Sequence, residues 1–341
     1  MSQKENCRLE SIMKLLILTI VVCFSLPALA NSNYNNCVLS GVRDSPKNIT
    51  VEEIRSACQQ HLTPRADSDI LKGRRVAEQL ASKNRRALVP HQRNYLLPAT
   101  YAVDPNEKPV PPAFSAFFSD EDLDNIEMKF QLSLKYQFAQ SVFMNNDSMH
   151  VGFTTLSFWQ AYNSSISAPF RETNYEPEVF WTAPVEWAPL GLDASEIAIG
   201  FTHQSNGSAG TLSRSWNRIY ANLTWETGNY VFNFKPWYRI REDKKDNPLD
   251  PEGDDNPDIE QYLGHFEFST VYRNDNHEIT MLIRNNLRSE NRGAIQLDWT
   301  FPIWRGLKGH AQYFNGYGES LIDYNQQVER IGFGLLLTDL Y

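Results

Sequence analysis

The chain has 341 residues, of which 41% are hydrophobic, 12% aromatic and 21% charged, with a formal net charge of -9. That acidic balance, with a pI near 5.4, excludes a nucleic-acid binder with a broad basic face, so no nucleic-acid partner is expected. A mean hydropathy of -0.47 excludes a bundle of membrane helices but not a membrane β-barrel, whose alternating strands average to a hydrophilic score.

Lys14 to Leu29 form an apolar run behind a lysine, and Ala28-Leu29-Ala30 closes it with small residues at the cleavage spacing. Residues 1–30 therefore read as a secretory signal peptide, with Met13 as an alternative start. A membrane anchor is the competing reading, but the run is shorter than the ~20 apolar residues a spanning helix needs. Cleavage removes Cys7 and Cys23 and leaves Cys37 and Cys58, an even pair that reads as a disulfide in an oxidising compartment, with two free thiols as the competing reading.

Residues 31–92 are polar and weakly patterned, and read as an N-terminal periplasmic extension. Short helices are expected over 51–59 and 70–81, and the basic stretch from Lys72 to Arg93 reads as a solvated face, with a lipid-headgroup contact as the alternative.

From 93 to 341 the period is two. Phe130, Leu132, Leu134, Tyr136 and Phe138 alternate with Lys129, Gln131, Ser133, Lys135 and Gln137. Such alternation puts one set on each face of a strand. Twelve strands are expected, near 93–101, 127–138, 148–161, 175–185, 193–204, 216–226, 230–242, 259–273, 277–287, 293–301, 307–317 and 328–341. Short and longer connections alternate, and the chain stops at aromatic Tyr341. The fold class is all-β: a twelve-stranded antiparallel transmembrane β-barrel of the outer membrane, behind the short N-terminal extension. A soluble β-sandwich is the alternative. It does not explain a polar set opposite the apolar set on nearly every strand.

Ile197 to Gly207 read IAIGFTHQSNG. His203 and Ser205 continue the parity of Ile197, Ile199 and Phe201, the face a barrel turns to lipid, where polar residues are costly. If the hairpin folds about Gly210, His203 faces Asn217 on the next strand, with Cβ atoms ~5 Å apart. Ser205 then serves as nucleophile, His203 as base and Asn217 as orienter of the imidazole through a neutral amide. The competing reading is an interface His and Ser beside an ordinary loop Asn. No zinc spacing occurs among the histidines. The acidic loop Asp243 to Asp258 reads as a solvated rim loop, and Lys235, Arg239, Glu267 and Asp298 as a polar network in the lumen.

His203-Gln204-Ser205-Asn206-Gly207 and Ser213-Arg214-Ser215-Trp216-Asn217-Arg218 resemble the active-site signature of the outer membrane phospholipase A family. Pro169 to Pro177, Lys235 to Tyr238, Asp254 with Asn256-Pro257-Asp258, and Gly316 to Asn325 resemble further family segments, so the similarity spans roughly 93–341. The resemblance implies a calcium-dependent phospholipase of the A1/A2 type, a carboxylic ester hydrolase active as a homodimer among outer-membrane lipids. It implies catalytic roles for Ser205, His203 and Asn217 and an oxyanion-hole amide at Gly207. It implies a Ca2+ site shared by the Ser208 carbonyl, Ser213 and a partner subunit's Ser167. Ser208 and Phe201-Thr202 depart from the commoner family residues. Thr155, outward-facing, marks either a subunit contact or a lone lipid-interface threonine. The alternative function is a passive outer-membrane channel or a structural barrel.

Overall fold

The computed structural model describes residues 87–106, 123–165, 168–185, 193–247, 249–250, 252–274, 276–304 and 306–339, with Arg43, Ile54, Leu71, Arg74 and Glu78. The expected signal peptide, the four cysteines, Ser167 and Tyr341 lie outside these residues. The chain divides into two compact units, Met1–Asp67 and Ser68–Tyr341. Of the first, only Arg43 and Ile54 are described, both helical.

The second unit is a meander of antiparallel strands: β1 (Asn94–Ala102), β2 (Ile126–Gln140), β3 (Ser148–Trp159), β4 (Phe170–Ala183), β5 (Asp193–Ser205), β6 (Ser215–Thr227), β7 (Tyr230–Ile240), β8 (Phe266–Asn274), β9 (His277–Asn285), β10 (Gly293–Trp304), β11 (Leu307–Tyr317) and β12 (Gln327–Thr338). Each pairs with the next, and β12 pairs back onto β1 through Ile331↔Tyr101 and Leu335↔Leu96, so the sheet closes. Val89–Pro90 extends the line of β1 along β2, opposite Lys135 and Leu134. Closure leaves no unpaired edge, the condition for a sheet to cross hydrocarbon.

Side-chain alternation sorts the residues as expected. Leu132, Leu134 and Phe138 on β2 are exposed on the outer wall, whereas Lys129, Ser133 and Lys135 are buried inside. Lys235, Glu267 and Asp298 line the lumen. Arg93, expected on a solvated face, is instead buried, with Nη2 2.5 Å from Glu278 and Nη1 3.3 Å from Asp298. Leu71, Arg74 and Glu78 are helical. They share one face at helical spacing. Leu71 packs against Val231 and Val271, and Glu78 sits 2.9 Å from Lys135 Nζ.

Two boundaries differ from the sequence reading. The strand expected from 259 begins at Phe266, because Glu260–Leu263 turn into a short helix, α1. Ile259 and Leu263, four apart, bury one side of that turn in a cluster with Trp216, Trp237, Leu321 and Tyr324. The strand expected from 175 begins at Phe170. Its polar inward residues read as loop, yet Asn174 and Glu172 accept the backbone N–H groups of Leu321 and Ile322.

The segment after β11, Gly318 to Gln326, folds into the lumen mouth. Glu319 accepts from Lys129 and from Arg330, each at 2.8 Å. Arg171 bridges Glu127 and Asp323, and Arg330 also reaches Glu127 at 2.8 Å. The ring of Phe158 lies under Lys129, Arg171 and Arg330, all within 5.2 Å of its centroid. Burial pushes the Glu319 carboxyl up, but Arg330 and Lys129 outweigh it and hold it at about 2. Its folded value lies below the ordinary one. Its stabilisation is therefore complete above pH about 4.5 and lost as pH falls toward 2. Glu319→Gln strands buried Lys129 and leaves Arg330 with Glu127 as its remaining carboxylate. It should destabilise the barrel by about 3 kcal/mol at pH 7, with the difference from wild type shrinking in acid, as read by thermal unfolding in detergent across pH.

Candidate active site

The site lies where β5 and β6 reach the rim of longer loops. The ladder pairs His203 with Asn217 and Ser205 with Ser215. Phe201 and Ile219, below His203 and Asn217 on the same face, are exposed on the outer wall. Thr202, Trp216 and Arg218, of opposite parity, are buried inside. The imidazole, hydroxyl and carboxamide therefore share the exterior face, all half-buried.

His203 Nδ1 lies 2.9 Å from Asn217 Oδ1. The amide orientation follows from its other end: Asn217 Nδ2 donates to Glu242 Oε1 at 2.7 Å, and a carboxylate only accepts. Oδ1 therefore faces the ring, Nδ1 carries the proton, and Nε2 is left as the basic nitrogen. Ser205 stands two residues along from His203, ~6.8 Å between Cα atoms. Among the described residues no hydrogen bond joins its Oγ to the ring. Such bonds commonly tighten only when substrate is bound.

The inner side of these strands is packed. Trp216 and Trp237 meet edge to face at 6.1 Å, and Arg218 stacks 4.1 Å over Trp216. On the ladder with β4, Tyr175 pairs with Ser205 and Glu178 with Thr202, skipping Pro177, which has no N–H to donate.

The loop after Ser205 is built on Asn206. Buried, it accepts from the N–H groups of Ser208 and Arg214 and donates to the Leu212 carbonyl. Gly207 and Gly210 take left-handed φ of 67° and 61°, at little cost for glycine. Ser208 is exposed and Ser213 half-buried. Ser213 Oγ donates to Asp255 Oδ2 at 2.8 Å, and Ser215 Oγ to the same oxygen at 3.2 Å. Lys245 Nζ lies 2.5 Å from Asp255 Oδ1. The acidic loop read as solvated thus brings one carboxylate into contact with the site. No cluster of three or more His, Cys, Asp or Glu suited to a metal occurs among the described residues. The oxygens beside Ser213 suit a hard cation held by hydroxyl, carbonyl and carboxylate groups.

Sequence reasoning missed Asn206, Glu242 and Asp255. Glu242 was within reach, because it shares the parity of outward-facing Tyr238 and Ile240. Asp255 was not, since contacts between two irregular loops leave no periodicity to read.

A closed barrel with a histidine, a serine and an asparagine gathered on its outer wall defines the class: a membrane β-barrel with a candidate site on its exterior. The family model for phospholipase A1 matches residues 71–337. Phospholipase A1 of Klebsiella pneumoniae is 36% identical over 254 residues, 74% of this chain and 83% of that protein. The Escherichia coli K12 phospholipase A1 is 34% identical over 276 residues, 81% of this chain and 90% of the relative. Among solved structures, outer membrane phospholipase A from Escherichia coli has a TM-score of 0.66 at 34% identity, covering 75% of this chain and all of that one. The Salmonella typhi outer membrane phospholipase dimer with bound calcium has a TM-score of 0.67 at 34% identity, covering 76% and 94%. The chain belongs to the phospholipase A1 family.

A Cβ on Gly207 would meet the Tyr175 ring at 3.3 Å in a backbone region that side chains disfavour. Gly207→Ala should shift the amide beside Ser205. We expect fatty-acid release to fall about tenfold, with barrel stability lowered by only about 1 kcal/mol, as measured by kcat beside thermal unfolding.

Proposed function

We propose that this barrel hydrolyses the acyl esters of phospholipids and lysophospholipids in the outer membrane, with A1 and A2 regiochemistry, using Ser205, His203 and Asn217. The observation that carries the reading is the His203–Asn217 hydrogen bond across β5 and β6, on the lipid-facing wall beside Ser205. Substrate arrives from the membrane plane. Ser205 Oγ attacks the ester carbonyl while His203 Nε2 takes its proton. Asn217 Oδ1 holds the Nδ1–H and keeps the ring aligned as it becomes imidazolium. The Gly207 N–H, beside the nucleophile, donates to the oxyanion. His203 then hands the proton to the departing lyso-lipid alcohol. Water, activated by the same ring, releases the fatty acid and restores Ser205.

The Ser208 carbonyl and Ser213 hydroxyl, with the partner subunit's Ser167, would hold calcium. Bound calcium supplies positive charge for the developing oxyanion. Support comes from the Salmonella typhi neighbour, a dimer with bound calcium, and from the oxygens around Ser213. The active form is a homodimer that completes each cation site across the subunit contact. Residues 1–30 serve as signal peptide, 31–92 as periplasmic extension and 93–341 as the catalytic barrel.

Ser205→Ala should lower fatty-acid release from mixed micelles by about 10⁴-fold, and calcium chelation should silence the wild type reversibly. Activity retained in Ser205→Ala, together with conductance in planar bilayers, would favour a channel instead.

A further inference from the structure

An asparagine that orients a catalytic histidine has a weakness an aspartate lacks. Its amide has two different ends, and the reversed orientation puts an NH2 against the ring. A reversed amide favours the tautomer with the proton on Nε2, which cannot accept one from the serine. The structure holds a group that blocks reversal. Glu242 Oε1 sits 2.7 Å from Asn217 Nδ2, while Asn217 Oδ1 meets His203 Nδ1 at 2.9 Å. Ile240, the last residue of β7, is the cross-strand partner of Asn217. Glu242, two residues on, is thus one diagonal step from Asn217 on the same outer wall. The neighbouring cations are directed elsewhere: Arg239 points inward to Asp254 at 2.6 Å, and Arg241 lies 3.6 Å from Glu260.

We propose that Glu242 is a positioning residue of the hydrolase. It locks the Asn217 amide and places a negative charge behind it, so that His203, Asn217 and Glu242 form one line. The amide and the carboxylate together do the work of the single aspartate in a Ser-His-Asp triad: one fixes the tautomer, the other favours the imidazolium of the transition state. The inference rests on the assignment of Ser205, His203 and Asn217 made above.

The test uses the full chain in mixed micelles at saturating calcium. Ser205→Ala sets the reference: if it keeps activity, the site assignment itself fails, whatever Glu242 does. With that arm silent, Glu242→Ala should lower kcat about fivefold, the order of an exposed charged hydrogen bond, with KM and the calcium requirement unchanged. Glu242→Gln keeps an acceptor oxygen for Asn217 Nδ2 but removes the charge, and should recover only part of the loss, leaving kcat about twofold below wild type. Added to Asn217→Ala, which retains residual catalysis, Glu242→Ala should cost nothing more. Full kcat in Glu242→Ala would overturn the proposal. So would a loss confined to KM or to calcium affinity, or an equal loss in the Asn217→Ala background. Glu242 is exposed, so its replacement removes no core contact.

Discussion

Every feature of the site descends from closure of the sheet. In hydrocarbon an unpaired backbone group costs several kcal/mol, so twelve strands must pair around a full circle. Once they do, each side chain has only two choices, wall or lumen. The hairpin between β5 and β6 then adds register: Ser205↔Ser215 and His203↔Asn217 place the ring and the amide side by side. A one-residue slip of β6 would turn Asn217 to the lumen and leave the His203 ring without it.

The interior answers a second demand. Lys129, Arg171 and Arg330 are nearly inaccessible to water, and each is matched by Glu127, Glu319 or Asp323. Buried charges are tolerated only when paired. Here the pairing also has a mechanical result. The segment from Gly318 to Gln326 is drawn down onto β2, β4 and β12, and Leu321 and Tyr324 complete the apolar cluster behind Trp216. The wall that carries Asn217 is therefore backed by a packed interior on the very strands that need fixed geometry.

Much of this was legible in the residue order because a barrel writes itself as alternation. The parity of His203, Ser205 and Asn217 could be counted, and the turn about Gly210 predicted the pairing that is found. The start of β4 was misread because Glu172 and Asn174 look like loop residues. Only the folded segment 318–326 shows that they serve as lumen acceptors. The turn at Glu260–Leu263 was hidden inside a longer apolar pattern, since four residues are too few to show a helical period. Asp255 comes to Ser213 across two loops, a contact set by tertiary structure alone. The family resemblance supplied the proposed calcium ligands, and one of them, Ser167, lies outside the described residues.

The ion-paired filling of the lumen has a geometric corollary. Lysine, arginine and glutamate set fixed charge pairs across the mouth of this cylinder, so that the water-filled path along its axis is narrowed there by the side chains that hold the wall in shape.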